Sequence, residues 1–159
     1  MDRFVIPGEE FTPVLEEILA SGGSASIVVS GSSMRPFLKD GRDLVCLRAC
    51  TEKDFRQGQI LLFKRSDRSL ILHRVRRILP DGRLIMNGDA QTWCETISAD
   101  QVIAVVSSVE RKGQRIPCDC ALFGLWNLIW YPTRPIRPVL HKIRRILFCG
   151  RERDRDSSD

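Results

Sequence analysis

Three serines and a glycine follow a short apolar run in the stretch SIVVSGSSMRPFL, residues 26–38. A serine hydroxyl becomes a nucleophile when a neighbouring base takes its proton and nearby donors hold the oxyanion that forms. The end of a strand suits such a group, because it presents a side chain at a fixed height over a cleft. Ser30, Ser32 and Ser33 are therefore candidate nucleophiles, although serine and glycine are also ordinary turn formers.

The base for such a serine has few sources in this chain. There are two histidines, His73 and His141, and an unusually perturbed lysine is the remaining option. In the run SLILHRVRRIL, alternation places His73 with Ile71 and Val75 on one strand face. A histidine on such a face is more often a core or rim residue than a catalyst, and His141 lies among arginines on a predicted solvated face. Periodicity alone therefore does not assign the base.

Two acids in the stretch MNGDAQTWCETIS have the chemistry to orient a histidine. They are Asp89 and Glu95. Asn-Gly-Asp after a strand is also a plain turn, so Asp89 taken alone is more typical of a loop residue. The sequence leaves open which of the two acids faces the histidine.

The elements that must position these residues are mostly strands. Short runs rich in Val, Ile and Leu alternate with Gly, Asp and Pro, which is typical of strands joined by turns. Within ILPDGRLIM, Pro-Asp-Gly predicts a hairpin turn. The predicted strands are SIVVS, DLVCLRA, QILLFKR, LILHRVRRI, RLIMNG and QVIAVVSSVE.

A short helix is predicted before the strands, at about residues 12–21. Thr12 would be its N-cap, Pro13 its first helical residue, and Gly22-Gly23 its stop. We therefore predict a mainly β fold, a curled antiparallel sheet or β-barrel-like core with a short N-terminal helix and a C-terminal amphipathic helix. This core would occupy residues 1–117.

The amino-acid composition of the chain changes after residue 117. The run ALFGLWNLIW carries two of the three tryptophans, and IRPVLHKIRRILF has apolar residues at helical spacing opposite a basic face. This aromatic and basic segment, residues 118–149, would either lie on an anionic membrane or cover its own domain. Residues 150–159 hold no apolar side chain and are predicted to be a disordered tail.

Composition limits the classes of protein to consider. With 159 residues, 43% hydrophobic and 28% charged, the chain has material for one globular core. Six cysteines without paired C-x-x-C spacing, beside two histidines, argue against structural zinc, and we expect no cofactor or metal.

No run reaches the roughly 20 apolar residues that span a bilayer, and no cleavable signal peptide is recognised. We expect a cytoplasmic protein with free thiols, either wholly in the cytoplasm or peripheral at the inner face of the membrane.

Five motifs in this order resemble those of the type I signal peptidases and the related LexA-type self-cleaving repressors. The resemblance covers roughly residues 26–109. Their combination is more specific than any single motif. The motifs are VVSGSSMRP, GQILLFKR, LILHRV, GRLIMNGDA and ISADQVIAVV.

The resemblance implies a role for each candidate residue. The serine directly before the Met of the serine motif is the nucleophile in that superfamily, which corresponds to Ser33. His73, in His-Arg-Val, matches the Ser-His branch found in the endoplasmic reticulum and archaea. The Gly-Asp motif corresponds to Asp89, and the following acid, six residues on, is Glu95 where the family usually has Asp. Residues around the nucleophile would serve the oxyanion or the substrate: Ser30, Gly31, Ser32 and Met34.

The implied activity is a serine endopeptidase that cleaves an extended leader or signal-like peptide bound along an edge strand. The membrane anchor of signal peptidases and the DNA-binding domain of repressors are not recognised in this sequence. Two alternatives remain. One is a catalytically silent peptide-binding module of the same fold. The other is a protein that uses its basic C-terminal segment on membranes or, less expected, on nucleic acid.

Overall fold

The computed structural model describes residues 8–119 and 121–130. Helix α1 (Gly8–Ala20) precedes eight strands, and helix α2 (Ala121–Trp130) follows them. The strands are β1 (Ser24–Val28), β2 (Leu44–Ala49), β3 (Ile60–Lys64), β4 (Leu70–Ile78), β5 (Leu84–Asn87), β6 (Glu95–Ile97), β7 (Val102–Arg111) and β8 (Gln114–Pro117).

All eight strands form one antiparallel sheet that is open rather than closed into a barrel. Neighbouring strands follow the order β1-β2-β7-β3-β4-β5-β6, and β8 pairs with β7. The predicted mainly β fold, with its antiparallel sheet and short N-terminal helix, is thereby confirmed. The sheet ends at β1 on one side and β6 on the other.

The hairpin between β4 and β5 is the most closely predicted part of the fold. Strand β4 has the same bounds as the run LILHRVRRI. At the turn, the N–H of Gly82 donates to the carbonyl of Leu79 at 3.0 Å, and Gly82 has a φ of +82°. Glycine adopts this left-handed conformation without a steric cost, which explains its place after Pro-Asp.

Helix α1 begins earlier than predicted, at Gly8 rather than near residue 12. Thr12 is therefore not the N-cap but a buried residue inside the helix, and Pro13 is also inside it. The physical reason is that the partly buried Phe11 packs against the core, and this tertiary contact stabilises helical structure before Thr12. The predicted stop is observed, because the N–H of Gly22 donates to Leu19 and that of Gly23 to Ile18.

The two faces of the sheet pack into two separate hydrophobic clusters. Since successive side chains of a strand point to opposite faces, central strands contribute to both. The first cluster, which also contains α1 and Phe123 of α2, includes Leu15, Leu19, Met34, Leu38, Val45, Leu47, Ile60, Leu62, Ala104 and Val106. The second includes Leu61, Phe63, Val75, Leu84, Met86, Ile97 and Val105.

Helix α2 docks on the loop that follows the serine motif. The ring of Phe123 meets that of Phe37 edge-on at 4.8 Å, and the Trp126 ring lies 5.2 Å from Phe37. Neither helix in the described ranges is long and apolar enough to cross a membrane. The predicted basic helix beyond residue 130 and the predicted tail lie outside the described residues.

Candidate active site

His73 lies in the middle of β4 with its side chain almost completely buried. The predicted strand face is observed, since Ile71 and Val75 pack into the second cluster. Nδ1 of His73 lies 2.8 Å from Oε1 of Glu95. In a neutral imidazole that donates this hydrogen bond from Nδ1, Nε2 keeps its lone pair and can accept a proton.

Burial also sets the charge of this histidine. Loss of hydration lowers the pKa of His73, and this effect outweighs the opposite influence of the Glu95 carboxylate. The imidazole is therefore neutral near pH 7. A general base must be in this form before the reaction begins.

Glu95 opens β6 and lies on the same strand face as Ile97, which is buried in the second cluster. Arg65 donates two hydrogen bonds to the Glu95 carboxylate: Nε lies 2.7 Å from Oε2, and Nη2 lies 2.7 Å from Oε1. Burial raises the pKa of Glu95, whereas hydrogen bonds and charges from Arg65 and His73 lower it. The lowering effects together are larger, so the pKa of Glu95 is below the usual value. Glu95 is therefore ionised at neutral pH.

Asp89 follows β5 and pairs with Arg74. The guanidinium Nε lies 2.9 Å from Oδ1 and Nη2 lies 2.7 Å from Oδ2, with both side chains 4% exposed. Neighbours on a strand point to opposite faces, so His73 and Arg74 reach different acids. Of the two acids left open by the sequence, Glu95 is the one that contacts the histidine.

Ser33 lies in a tight turn after β1, and that turn is fastened from both sides. The N–H of Ala90 donates to the carbonyl oxygen of Ser33 at 2.8 Å. Met34, next in the chain, is buried in the first cluster. Gly88 approaches so closely that a Cβ atom there would lie 2.7 Å from the carbonyl oxygen of Ser33. The backbone of the candidate nucleophile is therefore held by the connection after β5.

The three residues before Ser33 are exposed. Gly31 has a φ of +86°, a conformation that favours glycine, and its N–H donates to Oδ1 of Asp40 at 3.3 Å. Ser30 and Ser32 flank this glycine. Within residues 8–119 and 121–130, no hydrogen bond joins the hydroxyl of Ser33 to His73.

One connection, residues 88–94, contacts both halves of the site. It meets Ser33 through Ala90, and its Trp93 ring lies edge-on to the His73 ring at 6.2 Å. The side-chain amide of Asn87 holds the connection by donating to the carbonyls of Gln91 and Trp93. The spacing between the serine turn and the histidine strand thus depends on this short segment.

Sequence reasoning did not single out Arg65, Arg74 or Trp93. The sequence contained a signal for Arg65. Alternation from β3 into the next residue places Arg65 on the same face of the sheet as Leu61 and Phe63, and β3 is the strand that pairs with β4. Register pairs Leu61 with His73. The hairpin register therefore carried information that the motif alone did not.

Four cysteines lie within the described residues, and one of them, Cys94, directly precedes Glu95. Cys46, Cys50, Cys94 and Cys118 carry thiol groups and form no disulfide. The part of the chain that the structure describes contains no group of three His, Cys, Asp or Glu side chains arranged to hold a metal ion. Cys120, Cys149 and the second candidate base, His141, lie outside the described residues.

The described geometry supplies a neutral, buried histidine with an ionised acid on Nδ1, and a serine turn fixed by the neighbouring connection. These are parts that nucleophilic catalysis by serine requires. No protein-family model matches the chain, and a search of the curated proteins finds no match.

Proposed function

We propose that this protein is a serine endopeptidase of the type shared by type I signal peptidases and LexA-type repressors. Ser33 is the nucleophile, His73 the general base, and Glu95 the acid that orients the base. The single observation that carries the proposal is the partly buried contact between Nδ1 of His73 and the Glu95 carboxylate. This contact favours the tautomer that leaves Nε2 free to accept a proton, which is the form that a general base needs.

In the proposed mechanism the Oγ atom of Ser33 attacks the peptide carbonyl while Nε2 of His73 accepts its proton. Glu95 stabilises the imidazolium, which then donates that proton to the leaving amine. Water, deprotonated by His73, hydrolyses the acyl-enzyme. We assign the backbone N–H of Ser33 to the oxyanion, with the hydroxyls of Ser30 and Ser32 as candidate second donors.

The hydrogen bond between Ser33 and His73 is expected to form when substrate binds. Catalytic hydrogen bonds are often long in a free enzyme and shorten in the substrate complex. The connection at residues 88–94 supports this step, because it contacts Ser33 at one end and His73 at the other. A substrate strand that presses on it would move both.

Two exposed strand edges support an extended peptide as the substrate. The order of the sheet leaves β1 at one end, and β1 runs directly into the serine turn. Among the described strands, the first half of β4, residues 70–73, pairs with β3 alone, and it leads to His73. A peptide strand added to either edge gains main-chain hydrogen bonds, with small side chains at the scissile bond as the resemblance implies.

The cellular setting belongs to the same proposal. We propose a cytoplasmic peptidase whose basic segment after residue 130 brings it to the inner face of an anionic membrane. Vesicle sedimentation at low and high salt tests this part separately. Binding that disappears when residues 136–159 are deleted supports it, and unchanged binding contradicts it.

The decisive experiment is labelling with a fluorophosphonate, which reacts with activated serines. The wild-type protein and Ser21→Ala, which changes an exposed serine at the end of α1, are expected to be labelled. Ser33→Ala and His73→Ala are expected to lose both labelling and cleavage of a quenched-fluorescent peptide library. Labelling of Ser33→Ala would refute the assignment of the nucleophile.

The alternative of a silent peptide-binding module makes a different prediction in the same assay. It predicts that the wild-type protein is unlabelled and cleaves no member of the library, but retains peptides on a column. A substitution that blocks the β1 edge, Ser26→Pro, would abolish that retention, because the N–H of residue 26 points away from β2 and proline removes this edge donor. Ala25→Ser on the same strand is the matched control.

A further inference from the structure

Arg65 holds the acid of the proposed site with a planar two-point contact. Its Nε and Nη2 atoms each lie 2.7 Å from a different oxygen of Glu95. The oxygen that accepts from Nη2, Oε1, is the same atom that contacts Nδ1 of His73. The guanidinium and the imidazole therefore share one carboxylate oxygen, which leaves the carboxylate little rotational freedom.

A second contact fixes the guanidinium itself. The Cζ atom of Arg65 lies over the Trp93 ring at 5.8 Å, and the same ring lies edge-on to His73. Trp93 is 49% exposed, so it covers the ion pair from the solvent side without being part of the core. Stacking on an aromatic ring is a contact that arginine makes better than lysine.

We propose that Arg65 is a positioning residue of this site, which holds Glu95 in the orientation that serves His73 and limits the negative charge that the carboxylate presents to the imidazole. This inference rests on the proposed function for its effect on catalysis. Its effect on the histidine does not depend on catalysis and can be measured separately.

The charges around His73 give the sign of that effect. Glu95 contacts it from β6, the charge of Arg65 lies just after β3, and the charge of Asp89 acts on it from the turn after β5 without a contact. The two acids favour the imidazolium and raise the pKa of His73, whereas Arg65 and, above all, burial lower it. Removal of the Arg65 charge therefore raises the pKa of His73.

The test is an NMR titration of the His73 imidazole in Arg65→Gln, Arg65→Lys and one control variant. A further variant, His141→Gln, assigns the two histidine signals. In Arg65→Gln the titration midpoint is expected at higher pH, and kcat is expected to fall about tenfold with little change in KM. Arg65→Lys keeps the charge but not the two-point contact, so its midpoint stays near that of the wild type while kcat is intermediate. This variant also preserves the test if Arg65→Gln folds poorly.

The matched control is Arg48→Gln, which breaks an equivalent two-point contact with Asp54 outside this site. It is expected to leave the His73 midpoint and kcat unchanged. A midpoint in Arg65→Gln at or below the wild-type value would overturn the inference. A different outcome is that the wild-type protein cleaves no peptide and takes no label while the His73 titration midpoint of Arg65→Gln is still raised. That result would support the effect of Arg65 on His73 and refute the proposed peptidase.

Discussion

The backbone N–H of Ala90 donates a 2.8 Å hydrogen bond to the carbonyl oxygen of Ser33. This bond fastens the connection after β5 to the turn that carries the proposed nucleophile. Immediately before Ala90, Gly88 lies close to the carbonyl oxygen of Ser33 and Asp89 binds the buried Arg74. The roles of Gly88 and Asp89 can each be tested by a single substitution.

Gly88→Ala is predicted to displace the serine turn. The added Cβ atom would lie 2.7 Å from the carbonyl oxygen of Ser33 and 2.8 Å from Oε1 of Gln91, so the backbone must move. We expect a loss of about 1–3 kcal/mol in the free energy of unfolding, together with slower peptide cleavage. The control is Gly124→Ala in α2, where a Cβ atom meets nothing within 4 Å and alanine favours the helix. Equal activity in the two variants would contradict this prediction.

Asp89→Asn is predicted to destabilise the fold rather than the chemistry of the base. It leaves the Arg74 guanidinium buried without its carboxylate, which typically costs about 3–5 kcal/mol. Urea unfolding measures the loss, and replacing both partners, as in Arg74→Met with Asp89→Leu, should recover part of it. The control, Asp81→Asn, alters an exposed ion pair with Arg83 and should change stability little. A stable Asp89→Asn variant with a shifted His73 titration would indicate instead that Asp89 orients the histidine.

Glu95→Gln is predicted to impair the histidine while leaving the sheet folded. Without the carboxylate the imidazolium loses its main stabilising charge, so the pKa of His73 falls. We expect kcat to fall on the order of ten-thousandfold, as when the acid of a catalytic triad is neutralised. Steady-state kinetics and the histidine titration check this result, with Glu110→Gln, an exposed change on β7, as the control. An unchanged kcat would remove Glu95 from the mechanism.

Stability is predicted to fall as the pH drops below about 6.5, where an unperturbed histidine gains its proton. The folded state lowers the pKa of His73, so between that lowered pKa and 6.5 the unfolded chain binds more protons than the folded one. The free energy of unfolding therefore rises with pH across this window and levels off above it. Urea unfolding at several pH values measures the slope, which should decrease in His73→Gln. An equal slope in that variant would show that another group is responsible.

Stability below pH 5 is governed by the acids instead. Ion pairs and hydrogen bonds lower the pKa of Asp54, to about 2, and that of Glu95. Both groups therefore stabilise the fold above their usual pKa values, and this contribution is lost as the pH falls through the lowered ones. The loss due to His73 precedes this one on acidification, so the two can be separated.

Local sequence signals predicted the fold where they were strong and unopposed. The run that became β4 is rich in β-branched and aliphatic residues, and Pro-Asp-Gly specifies the turn after it, so the end of the strand follows from local chemistry. Strands β6 and β8 were not predicted, because three or four residues with few apolar side chains carry too little pattern. The start of α1 was wrong because burial of Phe11, a tertiary contact, outweighed the Thr-Pro capping signal.

The sequence by itself determined the residue types and their order: a serine turn after a strand, a histidine inside a later strand, and two acids beyond it. It also determined that His73 and Arg74 point to opposite faces, since alternation is a local property of a strand. Only the tertiary structure decided which acid meets the histidine. Glu95 lies 22 residues from His73 and 30 from Arg65, and the register of β3, β4, β5 and β6 brings the three side chains together. Contacts at such separations depend on how strands pair, which no local pattern specifies.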